Sequence, residues 1–119
     1  MQLGPFSVRL AVRDLATSEV FYERLGFETV DGGHQSQDFP DTDSSSWRMM
    51  KNGNTLLGLF QGVFPRNVLT FNPPDVRSVQ RNLKQEGIRL TSEADERGSG
   101  PAHVMLEDPD GNPILLDQQ

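Results

Sequence analysis

The chain is built from one pattern used twice. Residues 7–30, SVRLAVRDLATSEVFYERLGFETV, run apolar strand, helix, glycine, strand, and residues 66–90, RNVLTFNPPDVRSVQRNLKQEGIRL, run through that order again. The segments that follow also correspond. WRMMKNGNTLLGLFQ (47–61) and HVMLEDPDGNPILLDQ (103–118) both read as hairpins with a turn of Asn, Asp and Gly. A duplicated supersecondary unit cannot bury its apolar face alone, so the two copies imply a shared core and a cleft between halves.

At 119 residues the chain is long enough for one domain with a real core and no covalent staples. It has no cysteine, which excludes disulfides, thiolate metal sites and a Cys nucleophile. A formal charge of −6 would repel a phosphate backbone, so a nucleic-acid role is not expected. No apolar run is long enough to span a membrane. MQLGPFSV has neither the basic nor the apolar region of an export signal, and the expected location is the cytoplasm.

Residues 6–12 alternate, with Val8, Leu10 and Val12 on one face and Ser7, Arg9 and Ala11 on the other. Asp14 sits at an N-cap position, and Leu15, Val20, Phe21 and Leu25 are expected to carry the following helix towards the core until Gly26 ends it. In the second copy Asn72 and Pro73-Pro74 open a helix whose stripe is Val76, Val79 and Leu83, closed by Gly87. Residues 31–46 are polar and turn-rich and read as a mobile loop over the cleft. The fold expected is α+β: two tandem βαβββ modules, about 1–62 and 63–119, forming a curved mixed sheet around a cleft with the helices outside.

The L-x-V-x-D-L pattern of residues 10–15, the following FYERLGF and the closing EDPDGNPILLDQ together resemble the vicinal oxygen chelate superfamily. That group includes glyoxalase I, extradiol dioxygenases and bleomycin-resistance proteins. The resemblance covers nearly the whole chain and implies paired βαβββ modules. In the enzymes it implies a divalent metal held by His or Glu from four strands, and in many small members a homodimer. Carried over by motif, the four ligand positions fall on Ser7, Gly58, Val68 (or Asn67 if the register slips by one) and Leu115. Divalent cations need carboxylates or imidazoles converging at about 2 Å, so no metal and no other cofactor is expected.

Strand alternation turns Ser7, Arg9, Trp47, Met49, Gly58 and Phe60 of the first copy into the cleft, with Val68, Thr70, His103, Met105 and Leu115 of the second. An apolar, aromatic and Met-bearing concavity suits a small hydrophobic or aromatic molecule. The same residues could instead pack against each other or against a second copy. Gly58 is expected to leave room where a ligand residue would otherwise stand. Arg9, turned inward, needs an anion, which is either a ligand carboxylate or phosphate or an acid such as Asp117 across the sheet. His103 could serve as a general base, although its place beside the Gly-rich RGSGPA loop favours a partly exposed imidazole.

No other chemistry has a foothold. DPDG lacks the further ligands of a calcium loop, RGSGP lacks the lysine of a phosphate loop, and no serine stands in a G-x-S-x-G setting. The function expected is metal-free binding of a hydrophobic or aromatic small molecule by a homodimer. The alternatives are a metal-dependent glyoxalase-type lyase or dioxygenase, and a dimeric interaction module without ligand.

Overall fold

A computed structural model describes residues 1–119. The chain divides into two compact units, Ser7–Val68 on one hand and Met1–Phe6 with Leu69–Gln119 on the other. Seven strands and two helices follow the order β1 (Phe6–Ala11), α1 (Leu15–Arg24), β2 (Glu28–Gly32), β3 (Ser46–Asn52), β4 (Thr55–Gln61), β5 (Val68–Phe71), α2 (Val76–Gln85), β6 (Ala102–Glu107) and β7 (Pro113–Gln118). The α+β class expected from the repeat is the class observed.

In the first copy β2, β3 and β4 are antiparallel neighbours and β1 lies parallel to β4. In the second, β6 is antiparallel to β7 and β5 is parallel to β7. The second copy has one strand fewer than the first. Where a strand was expected after Gly87, residues 88–93 form no strand and bond to β6 only around Met105, through the Ser92–Met105 bridge and the Thr91 amide, which donates to the Met105 carbonyl at 2.8 Å. The physical reason lies in Gln80, which is wholly buried in α2 and grips the chain just beyond. Its amide nitrogen donates to the Ala94 carbonyl at 3.1 Å, and its oxygen accepts from the Ala94 amide at 2.7 Å. Lys84 pairs with Glu93 alongside. The segment is drawn to the helix rather than laid along the sheet.

The helix entrances repeat in atomic detail. Asp14 and Asp75 cap α1 and α2, each accepting from the backbone amide three residues on. The first amide of each helix is then taken by a glutamine side chain at the end of the strand that closes the copy. Gln61 accepts from Leu15 and Gln118 from Val76, both at 2.8 Å. Two of the four orphan donors at each helix start are thus satisfied. Pro73-Pro74 therefore precede the cap instead of opening the helix. Gly26 and Gly87 follow the helices at φ +94° and +74°, the left-handed backbone for which glycine is favoured.

Each helix covers one face of its own strands. Val76, Val79 and Leu83 of α2 pack on Val104, Leu106 and Leu116, as the sequence stripe predicts. On α1 the stripe is different. Leu15 and Tyr22 meet Leu10, Val12, Met50, Leu57 and Leu59, whereas Val20, Phe21 and Leu25, expected inside, are 49%, 56% and 56% exposed. Apolar residues lie all round this helix, so periodicity alone could not orient it. Glu19 decides the matter: its carboxylate accepts from the Thr29 hydroxyl at 2.5 Å and stands 4.0 Å from Arg48 of β3. Anchoring Glu19 to the sheet turns Phe21 and Leu25 outward.

No helix of the structure is long and apolar enough to cross a membrane.

Candidate functional site

Because side chains alternate along a strand, the face of Ser7–Val68 away from α1 is defined by register. Arg9 of β1 stands opposite Gly58 of β4, which stands opposite Met49 of β3. The next row is Ala11, Phe60 and Trp47. Ser7 lies one step back on the same face and is buried. The six site residues expected in this copy therefore share one face, as alternation required.

Phe60 is the centre of that face. It is 7% exposed, and the Trp47 ring stacks on it with centroids 5.6 Å apart and 10° between planes. The Arg9 guanidinium carbon sits 5.1 Å from the Phe60 centroid, a cation–π contact. Phe64, just beyond β4, places its ring 5.3 Å away at 58°. Phe64 was not among the expected residues because strand alternation says nothing about a loop position; the sequence signal was the aromatic of the GVFPRN stretch, just after Phe60. Trp47 is oriented from outside the strand, its indole N–H donating to the Phe39 carbonyl at 2.8 Å.

Asp41 fastens the segment that carries Phe39. Its carboxylate accepts from the Trp47 backbone amide and holds Arg48 at 2.9 Å. The loop of residues 33–45 is thereby tied to the start of β3.

Gly58 does not open a void. A Cβ built there would lie 2.7 Å from Phe60 Cε1, 3.0 Å from the Met49 sulfur and 3.2 Å from Arg9 Cγ. The absent side chain is replaced by its three neighbours, which close over the backbone because glycine lets them. The expectation of free space at Gly58 is corrected accordingly.

In the second copy Thr70, Leu115 and Met105 form one row across β5, β7 and β6, and His103 faces Asp117 in the same strand pairing. Val68, Thr70 and Leu115 are buried, Met105 is half-buried and His103 is exposed. The Thr70 hydroxyl is buried with no hydrogen-bond partner.

The resemblance in sequence assigns metal ligands to four positions, and the side chains there are poor donors. Ser7 offers a buried hydroxyl, Gly58 offers nothing, and Val68 and Leu115 offer hydrocarbon. The slipped alternative, Asn67, already spends its side-chain oxygen on the Ala11 amide at 2.9 Å. A guanidinium stem lies against Gly58, and a positive side chain opposes a cation beside it. No group of three or more His, Cys, Asp or Glu side chains is arranged to hold a metal ion. The residues do not fit a divalent metal.

A family model described as the Glyoxalase/Bleomycin resistance protein/Dioxygenase superfamily matches residues 4–116. The chain belongs to this superfamily. Solved structures of similar fold include a superfamily member from Vibrio splendidus 12B01, at 16% identity and TM-score 0.65, covering 96% of this chain and 97% of that one. A protein described as NAD-dependent benzaldehyde dehydrogenase from Legionella pneumophila is similar at 17% identity and TM-score 0.71, covering 96% and 98%. A methylmalonyl-CoA epimerase is similar at 14% identity and TM-score 0.63, covering 99% of this chain and 94% of that one. At such identities the likeness is one of fold. A search of curated proteins finds no match. For a glyoxalase-superfamily chain, the side chains on the helix-free strand faces are therefore the guide to chemistry.

Proposed function

We propose that this superfamily member binds a flat hydrophobic or aromatic small molecule without a metal. The observation that carries the reading is the cluster of Trp47, Phe60 and Phe64 on the helix-free face of β1, β3 and β4, beside the half-buried Met49. Offset and stacked aromatic rings give large contact area at low conformational cost, and the Met thioether adapts to irregular shapes. The metal-dependent glyoxalase-type reading asks for oxygen and nitrogen ligands at positions held by Gly58, Val68 and Leu115.

Two titrations of the purified chain separate these readings. Planar aromatic compounds should raise the melting temperature, a hundredfold excess over Kd corresponding to about 2.7 kcal/mol of stabilisation. Trp47 is the single tryptophan of the chain, so its fluorescence should change over the same concentrations. Zn, Ni, Mn and Fe should produce neither effect, and dialysis against them should leave no stoichiometric metal. One equivalent per chain by elemental analysis would restore the metal-dependent reading. A flat response across aromatic ligands would favour an interaction module instead.

The same proposal includes a homodimer, and α1 supplies its surface. Val20 and Phe21 of α1, and Leu25 immediately after it, are about half exposed. Phe21 supplies the aromatic part of this surface and Val20 and Leu25 extend it, making an exposed apolar patch of the kind a second copy of the chain can cover. Light scattering should give twice the 13.3 kDa chain mass. Phe21→Glu should give the single-chain mass with an unchanged circular dichroism spectrum, since an exposed substitution costs within about 0.5 kcal/mol of stability. Wild-type protein at the single-chain mass refutes the dimer.

A further inference from the structure

We infer that Asp41 is a positioning residue for the bound ring: it anchors residues 33–45 so that the Phe39 carbonyl holds the Trp47 indole in place on Phe60. The inference rests on the binding reading above and adds the part of the chain that sets the stacking surface. A tryptophan side chain turns about two bonds, and stacking alone lets one ring slide over another. The indole needs a second fixed point. Its N–H supplies one by donating to the Phe39 carbonyl at 2.8 Å, eight residues back in the chain. Trp47 is therefore only as well placed as the loop that carries Phe39. With that N–H spent, Trp47 meets a ligand through its ring face.

Asp41 ties that loop at both ends. Its carboxylate accepts from the Trp47 amide at 3.3 Å and from Arg48 at 2.9 Å, which joins it to β3. Its own amide donates to the Gly33 carbonyl at 2.9 Å, where the loop leaves β2. Gly33 makes the approach possible, because a Cβ there would lie 2.0 Å from Asp41 Oδ1 and 2.8 Å from the Asp41 nitrogen. Between anchor and acceptor stands Pro40. A residue before proline is confined to extended backbone, so Phe39 has little freedom to swing its carbonyl away. The Phe39 side chain is 74% exposed, and the residue is held through its backbone, its amide donating to the Ser36 hydroxyl at 3.0 Å. A stacking surface ordered before the ligand arrives spares the cost of ordering it on binding.

The test is calorimetric titration of the full chain with indole, an uncharged planar ring, beside the near-ultraviolet circular dichroism of Trp47 in the free protein. Asp41→Ala should weaken indole binding about threefold to tenfold, the factor for ordering one freed side chain on binding. The Trp47 bands of the unliganded variant should shrink, with the far-ultraviolet spectrum unchanged. Arg48 keeps the Trp47 carbonyl and Glu19 when Asp41 is shortened, so its charge is not stranded. Asp41→Asn retains an oxygen for the Trp47 amide and should recover most of the affinity. Pro40→Gly removes none of these hydrogen bonds and should act in the same direction as Asp41→Ala by loosening Phe39. Wild-type indole affinity in Asp41→Ala overturns the inference and leaves the binding reading standing. Weaker binding with unchanged Trp47 bands also overturns it, because the loss then does not pass through the indole. If Asp41→Ala fails to fold, Pro40→Gly decides by the same two readouts. No binding of indole by the wild-type chain at millimolar concentration overturns the inference, and a flat response to other uncharged planar aromatics takes the binding reading with it.

Discussion

Phe60→Ala should cost about 3–5 kcal/mol in urea denaturation and abolish aromatic-ligand binding. Phe60 is almost wholly buried, and three separate groups rest on its ring: the Trp47 indole, the Phe64 ring and the Arg9 guanidinium. Removing it opens a cavity above Gly58 that a glycine backbone cannot fill. The loss is large beside a total stability of about 5–15 kcal/mol for a domain of this size. Phe60→Leu separates volume from stacking. It should cost less than the alanine change, because most of the apolar volume remains, yet it should still shift Trp47 emission and weaken the flat ligand. If Phe60→Ala keeps wild-type affinity for planar aromatics, the cluster is core packing and the binding face lies elsewhere.

Gln80→Leu should destabilise the chain by about 2–5 kcal/mol, although leucine forms helix about as well and is similar in size. Gln80 satisfies both backbone groups of Ala94, and Ala94 is itself buried. Leucine leaves an N–H and a C=O inside the protein with no partner, each costing about 1–3 kcal/mol. The midpoint of urea unfolding should fall sharply while the α2 contacts with Val104 and Leu116 persist. A loss below about 1 kcal/mol would show that Ala94 finds water or another partner.

The same residue shapes the acid limb of stability. The Gln80 amide donates to Glu96 at 2.8 Å, and Arg81 pairs with it at 3.0 Å. The Gln80 hydrogen bond, with Arg81 in support, holds the Glu96 carboxyl below the usual carboxylate range. A carboxyl that is more acidic when folded lends stability above its unfolded pKa, and that stability disappears as pH falls through the folded value. Gln80→Leu should therefore flatten the loss of stability on acidification, in addition to lowering it at neutral pH.

How much of this was legible in advance depends on the kind of signal. The two-fold pattern placed all seven strands and both helices, because alternation and capping act over a few residues and leave their mark locally. Asp14, Gly26, Asn52-Gly53 and Gly87 each did what their chemistry suggests. Alternation also gathered Ser7, Arg9, Trp47, Met49, Gly58 and Phe60 on one face, since strand parity is inherited by the sheet. The failures share a cause. The outward turn of Phe21 and Leu25 depends on Glu19 meeting Thr29 ten residues away. The lost strand of the second copy depends on Gln80 reaching Ala94, and the filled space over Gly58 depends on rotamers of side chains from two neighbouring strands.

The sequence by itself determined the duplicated architecture, the membership of strand faces and the poverty of metal-ligating side chains at Gly58, Val68 and Leu115, because each follows from residue type and periodicity. Only the tertiary structure decided which way α1 turns its apolar residues, and that Arg9, Trp47 and Phe64 converge on a single phenyl ring. Such outcomes are set by contacts between residues distant in the chain, where several arrangements bury similar area and packing geometry chooses among them.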